Sequence, residues 1–329
     1  MPLVNAHTHL ELSALAHLMP RDSLPFAIWL RQLGGQLRGR DKAWFRSACE
    51  TGIEALLAAG TTHVGDICYS GASVEPLIGS GLRGIVWLEM RGVLPTKGVR
   101  RLAWLKREVD RLRDLASNSL IRIGVEVHSP YMIHPRLWKP VLRWIDEEQL
   151  PLCLHAAESP SEWELFVDGT GDLRMTDALM TVSKVPRIIR PTVARSALWF
   201  KPWLHRIGVP FALSRNMTPV AYLNEMGALQ HKPLLVHMVQ VTDDDIRLVR
   251  ESEATVVHCP RSNQRLQCGR MPLEDYLAAG VPVLFGTDSL TSSPTLDVRD
   301  ELAAARQLHG DRVEFDKLES LTQDTSFFE

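Results

Sequence analysis

The chain has no uninterrupted apolar run near the ~18 residues that a membrane-spanning helix needs. Its first residues, Met1 to His7, lack the basic flank and long apolar stretch of a secretion signal. Neither membrane insertion nor export is therefore expected. Cysteine is sparse: Cys49, Cys68, Cys153, Cys259 and Cys268 are odd in number, scattered and without CxxC spacing. That pattern argues against a disulfide framework or a structural zinc knuckle and fits a reducing cytoplasm. Charge of one sign is also missing. With 37 Lys and Arg against 39 Asp and Glu, the formal net charge is -2, so no global field draws a polyanion and nucleic acid is not expected as a partner. No low-complexity linker and no internal repeat divides the 329 residues.

What is present is apolar material for one large core, 45% of the sequence, with 23% charged residues for an ordinary surface. Eight short β-rich runs bounded by turn residues stand out: 3–10, 61–69, 82–89, 121–128, 150–158, 233–239, 255–260 and 281–288. Helical periodicity fills several intervals, at 44–59, 99–115, 135–147, 243–251 and 296–308. Strands alternating with helices predict a parallel sheet, and eight strands predict a closed (β/α)8 barrel of the TIM type forming a single domain over 1–329. Gly60-Thr61-Thr62 and Gly280-Val281-Pro282 read as helix ends followed by strand starts. From about 166 to 229, between the fifth and sixth strands, Arg and Pro clusters and the pair Trp199-Phe200 break the rhythm. This insertion reads either as an excursion over the barrel mouth or as a surface elaboration.

The local signal with most chemistry is Asn5-Ala6-His7-Thr8-His9-Leu10, at the end of the first expected strand. Side chains at i and i+2 share a face, so His7 and His9 both point into the barrel. They either chelate one divalent ion or pair as core histidines. Three further strands end in comparable groups: His155 in Leu-His-Ala-Ala-Glu, His237 in Leu-Leu-Val-His, and Asp288 in Phe-Gly-Thr-Asp-Ser. A barrel brings such strand ends around one central point.

These motifs resemble the amidohydrolase superfamily, in the branch that holds cytosine, guanine and adenosyl-type deaminases and the triazine chlorohydrolases. The likeness runs from His7 to Asp288. It implies one bound metal with ligands His7, His9, His155 and Asp288, while Glu158 and His237, with Asp288, act on substrate and water. Zn²⁺ suits three imidazoles and a carboxylate, and Fe²⁺ or Mn²⁺ fits the same ligand types. Members with two metals place a carboxylated lysine at the fourth strand end, where this sequence has Glu126-Val127-His128-Ser129, so one metal is expected and His128 becomes a candidate for contacting substrate. A narrower likeness, carried by residues 4–13, Pro260-Arg261-Ser262-Asn263 and Gly286-Thr287-Asp288-Ser289, is to the aminofutalosine deaminase group. Most relatives also carry a small β-sandwich, for which this sequence leaves no room outside the barrel. Phe327 and Phe328 read as a cut element, a docked tail or a homodimer contact.

The resemblance implies hydrolytic deamination of an aminated purine-like nucleoside, such as 6-amino-6-deoxyfutalosine of a menaquinone pathway. A coordinated metal lowers the pKa of water to about 7, and Glu158, placed by its spacing from His155, donates a proton to the ring. A chlorohydrolase or a cyclic-amide hydrolase would use the same groups, and an inactive barrel scaffold is the alternative outside catalysis. His258, Ser262 and Asn263 sit where they would support ligands or simply fix a loop. Glu11 and Trp29 either reach a ribose or aromatic group at the mouth or serve as an ordinary ion pair and a core tryptophan.

Overall fold

Leucine- and valine-rich runs of a few residues cannot bury both faces alone, and in the computed structural model they line up as a ring of parallel strands with helices outside. The structure describes residues 1–173 and 216–329. The strands are β1 (Val4–Thr8), β2 (His63–Cys68), β3 (Arg83–Met90), β4 (Ile121–Val127), β5 (Leu152–Ala156), β6 (Leu234–His237), β7 (Thr255–His258) and β8 (Val283–Phe285). They pair in sequence order, all parallel. A parallel bridge between Thr8 and Asp288 completes the ring. Seven lie inside the runs expected for them, and β3 runs one residue past its expected end, to Met90. Among the described residues every strand belongs to this one sheet, and none forms a separate sandwich.

The helices are α1 (Phe26–Gln36), α2 (Lys42–Ala58), α3 (Val74–Ser80), α4 (Pro95–Ala116), α5 (Pro135–Glu147), α6 (Pro160–Val167), α7 (Pro219–Glu225), α8 (Asp243–Glu251), α9 (Pro260–Arg265), α10 (Leu273–Ala278), α11 (Val298–His309) and α12 (Phe315–Ser320). Their starts follow local chemistry. Asp41 caps α2 by accepting from Trp44 N–H, Asp297 caps α11 through Arg299 N–H, and Thr242 forms a capping box with Asp245 on α8. These caps move the α2 and α11 starts away from the expected residues 44 and 296, and α4 starts at Pro95 because proline fits the first helical turn. Gly60 and Gly280 each close a helix with φ of +76°, as their sequence context suggested. Helix α1 was not anticipated. Gly34 and Gly35 dilute its helical signal, and its apolar residues face the cavity described below.

Of the insertion expected at 166–229, residues 174–215 lie outside the described residues. On its flanks the chain continues α6 as far as Val167 and resumes with α7 and a 3₁₀ turn at Ala228–His231. No helix among the described residues is long and apolar enough to cross a membrane.

Two apolar layers result. Val64, Leu88, Val125 and Leu235 belong to the layer between sheet and helices, whereas Val4, Ala6, Ile85, Trp87, Val236 and Leu284 fill the barrel interior. Phe328 joins the interior cluster beside His63, at the N-terminal ends of the strands. Arg122 donates to the Phe327 carbonyl at 3.0 Å. The two phenylalanines thus dock under the barrel, opposite the functional end.

Candidate metal centre and cavity

Strands β4 and β5 place their functional groups by plain alternation. Cys153 lies in the interior cluster, so His155, two residues on, points inward above it. Glu126 and His128 follow the same rule on β4. Strand β1 does not. Val4 and Ala6 are interior residues, so strict alternation would turn His7 and His9 toward the helices. The pairing of β1 with β2 shifts register between Asn5 and Thr8: three steps on β1 match two on β2, from Val64 to Asp66. This bulge resets the parity, and a one-residue slip flips every later side chain. His237 also breaks alternation, after interior Val236, through a left-handed backbone at φ of +74°, and Asp288 has φ of +58°. Glycine makes room for His7, since a side chain on Gly286 would collide with the His7 Cβ.

The outcome is a convergence of imidazole nitrogens. The Nε2 atoms of His7 and His9 lie 3.2 and 3.3 Å from His155 Nε2. Asp288 Oδ1 is 3.7 Å from His7 Nε2 and 3.5 Å from His9 Nε2. Nitrogen pairs at that spacing match the edge of a tetrahedron with bonds of ~2.0–2.1 Å. Burial lowers the pKa of His7 and sends that of His9 well below the ordinary histidine value, so both lone pairs are free at neutral pH. Burial would raise Asp288, but the neighbouring rings of His7 and His9 hold it well below the usual carboxylate range. Neutral imidazoles and one carboxylate facing a common point form a donor set compatible with a divalent metal.

Supporting groups orient these donors. His155 Nδ1 meets Glu126 Oε1 at 2.5 Å, the carboxylate contact that fixes the tautomer of a ligating histidine. Ser262 and Ser292 hydroxyls donate to Asp288 Oδ2 at 2.6 and 2.8 Å. Asn263 Oδ1 lies 2.9 Å from His237 Nδ1, leaving His237 Nε2 to face Glu158 Oε1 at 3.5 Å. Burial, with Asp288 and Glu162 adding, pushes Glu158 well above the ordinary carboxyl value, which favours its protonated form. Burial lowers His237 to about 3 and His128 to about 4, which keeps both rings neutral.

His9, His155, Glu158, His237 and Asp288 form the floor of a cavity of about 430 Å³. Phe26, Trp29, Leu30 and Leu33 of α1 make an apolar wall, and Glu89, Arg91 and His128 make a polar one. Not every candidate converges. Trp29 lines the cavity with its Nε1–H donated to the Thr291 carbonyl at 3.0 Å. Glu11 also lines it, but its oxygens accept from Tyr69 N–H at 2.8 Å, Ser70 N–H at 2.9 Å, the Ser70 hydroxyl and the Cys68 thiol. His258 faces the helical layer, with Nε2 3.3 Å from His309 Nε2. Glu126, Glu89 and Arg91 escaped the sequence reading. Glu126 carried a usable signal, a carboxylate two residues before His128 inside an otherwise apolar strand end.

The amidohydrolase family model matches residues 3–323. The chain belongs to that family. Within the amidohydrolases its place is the deaminase branch of metal-dependent hydrolases. It is 35% identical over 312 residues to the aminodeoxyfutalosine deaminase of Deinococcus radiodurans, covering 94% of this chain and 68% of that protein. Identity to the 5-methylthioadenosine/S-adenosylhomocysteine deaminase of Haloarcula marismortui is 26%, covering 93% of this chain and 61% of the other. The chain thus spans less than two thirds of the second relative's length. This amidohydrolase shares its fold with the Helicobacter pylori aminofutalosine deaminase solved with methylthio-coformycin, at a TM-score of 0.72 and 23% identity, covering 97% of this chain and 70% of that one. A zinc-bound adenosine deaminase from Xanthomonas campestris gives a TM-score of 0.71 at 22% identity, covering 99% and 63%.

Proposed function

We propose that this chain catalyses metal-dependent hydrolytic deamination of an aminated purine-like nucleoside. The observation that carries the reading is the meeting of the three imidazoles of His7, His9 and His155 with Asp288, beside the buried Glu158. His7, His9, His155 and Asp288 would hold one divalent cation, Zn²⁺ being the best match to the donor set. Bound there, the cation would supply a water acidified enough to act as nucleophile at neutral pH.

The protein groups then divide the proton work. Glu158 donates its proton to the ring nitrogen next to the amine-bearing carbon as electron density moves onto that nitrogen. His237, fixed through Nδ1 by Asn263, presents Nε2 to orient the attacking water. Asp288 accepts a proton from that water and returns it to the departing amine. The carbon–nitrogen bond breaks and ammonia leaves; the added hydroxyl becomes the ring carbonyl, and the proton it gives up restores Glu158. His128 and Trp29, on facing walls, contact the substrate. Aminodeoxyfutalosine is the favoured substrate, supported by the name of the Deinococcus relative.

The test is metal content of protein purified without chelator, with an ammonia-release screen of adenosine-type nucleosides including 6-amino-6-deoxyfutalosine. One equivalent of metal with ammonia release is expected. Metal with chloride release or ring opening on other heterocycles would replace deamination with that hydrolysis, and folded protein without metal would remove the catalytic reading.

A further inference from the structure

The bulge that turns His7 and His9 inward must be held, because the parity favoured by Val4 and Ala6 points both rings the other way. The described residues show what holds it. Asp66, at the β2 position paired with Thr8, is fully buried. One of its oxygens, Oδ1, accepts from Leu10 N–H at 2.9 Å and from the Thr8 hydroxyl at 3.1 Å. The same hydroxyl lies 3.0 Å from the Gly65 carbonyl. The carboxylate therefore grips the chain on both sides of His9, where the ladder with β2 has ended. Gly65 completes the seat, since a side chain there would collide with the Ala6 carbonyl at the start of the bulge. His7 has no comparable side-chain anchor: its Nδ1 is buried with no partner among the described residues. Backbone placement, rather than a side chain on Nδ1, sets where its ring points.

From this we infer that Asp66 is a positioning residue for the His7 and His9 ligand pair, acting through Thr8 and Leu10 rather than by touching metal or substrate. The inference rests on the proposed metal centre. Loss of the grip lets the strand end relax toward regular alternation and moves two of four ligands together, whereas loss of a support on one ligand moves one.

The experiment compares wild-type protein with Asp66→Ala, Asp66→Asn and Thr8→Val. Asp245→Ala serves as a control because Asp245 is a buried carboxylate that caps α8 away from the cavity. Two quantities are read: Zn²⁺ affinity by chelator competition, and the imidazole ¹⁵N signals of His7 and His9 in metal-free protein. Asp66→Ala and Thr8→Val are expected to weaken Zn²⁺ binding by about 10- to 100-fold and to shift both histidine signals. Asp66→Asn, which keeps the oxygen acceptor, restores most of both, and Asp245→Ala lowers the melting temperature without moving either. Unchanged affinity and unchanged signals in Asp66→Ala and Thr8→Val overturn the inference, and if Asp66→Ala does not fold, Thr8→Val decides alone. Wild-type protein that takes up no Zn²⁺ defeats the proposed metal centre instead, and the histidine signals still decide the role of Asp66.

Discussion

Strand β5 delivers His155 by regular alternation from Cys153, whereas β1 delivers His7 by breaking alternation at a bulge. The two rings end 3.2 Å apart, yet they are secured differently. His155 sits on an intact ladder and takes its orientation from a side chain, Glu126. His7 sits on an interrupted ladder and is aimed by the backbone, between Gly65 and Gly286 where no side chain fits. A regular strand needs only one well-placed carboxylate to fix a ligand. An irregular one needs the neighbouring strands to be shaped around it.

The contrast can be broken at several points. The largest effect is expected where neither strand is disturbed and only chemistry is lost. Glu158→Gln should lower turnover by ~10²–10⁴-fold with metal content unchanged, measured by steady-state kinetics beside metal analysis. Retained turnover would remove Glu158 as proton donor. On the proposed role of Glu158 as proton donor, wild-type activity should fall as pH rises through its elevated pKa. On the regular side, Glu126→Gln should weaken metal binding about 10- to 100-fold in a chelator competition, and a wild-type affinity would mean that His155 is oriented by its strand alone.

On the irregular side, Gly286→Ala should destabilise the fold by ~1–3 kcal/mol through overpacking against His7. Denaturant unfolding reads this, and an unperturbed midpoint would show that β1 has slack. The smallest effect belongs to a residue outside both strands: Trp29→Phe removes the bond to the Thr291 carbonyl and should cost ~0.5–1.5 kcal/mol while metal affinity stays constant.

The sequence disclosed part of this site for physical reasons. Apolar runs bounded by turn residues located all eight strands, and strand ends carrying His155, His237 and Asp288 suggested one meeting point. The HxH spacing correctly paired His7 with His9, since i and i+2 share a face whatever the register. The inward face expected for the pair has a cause that the spacing does not contain, because the bulge depends on β2 and only becomes visible once Thr8 is opposite Asp66. Helix α1 was hidden for a related reason: its apolar residues make sense only against the cavity they cover. Glu126 was legible in principle, as was the support of Asp288 by Ser262, whereas the burial of Glu11 among the backbone N–H groups of Tyr69 and Ser70 depends on tertiary packing alone.

The docked end of the chain bears on how molecules move through the site. Below the histidines the barrel is filled by Val4, Ala6, Trp87 and Val236 down to Phe328, so the described interior offers no second opening. Among the described residues the cavity is closed at that end. Nothing among them leads from the histidines through the barrel, so a molecule that reaches them from the cavity side meets a packed floor rather than a passage.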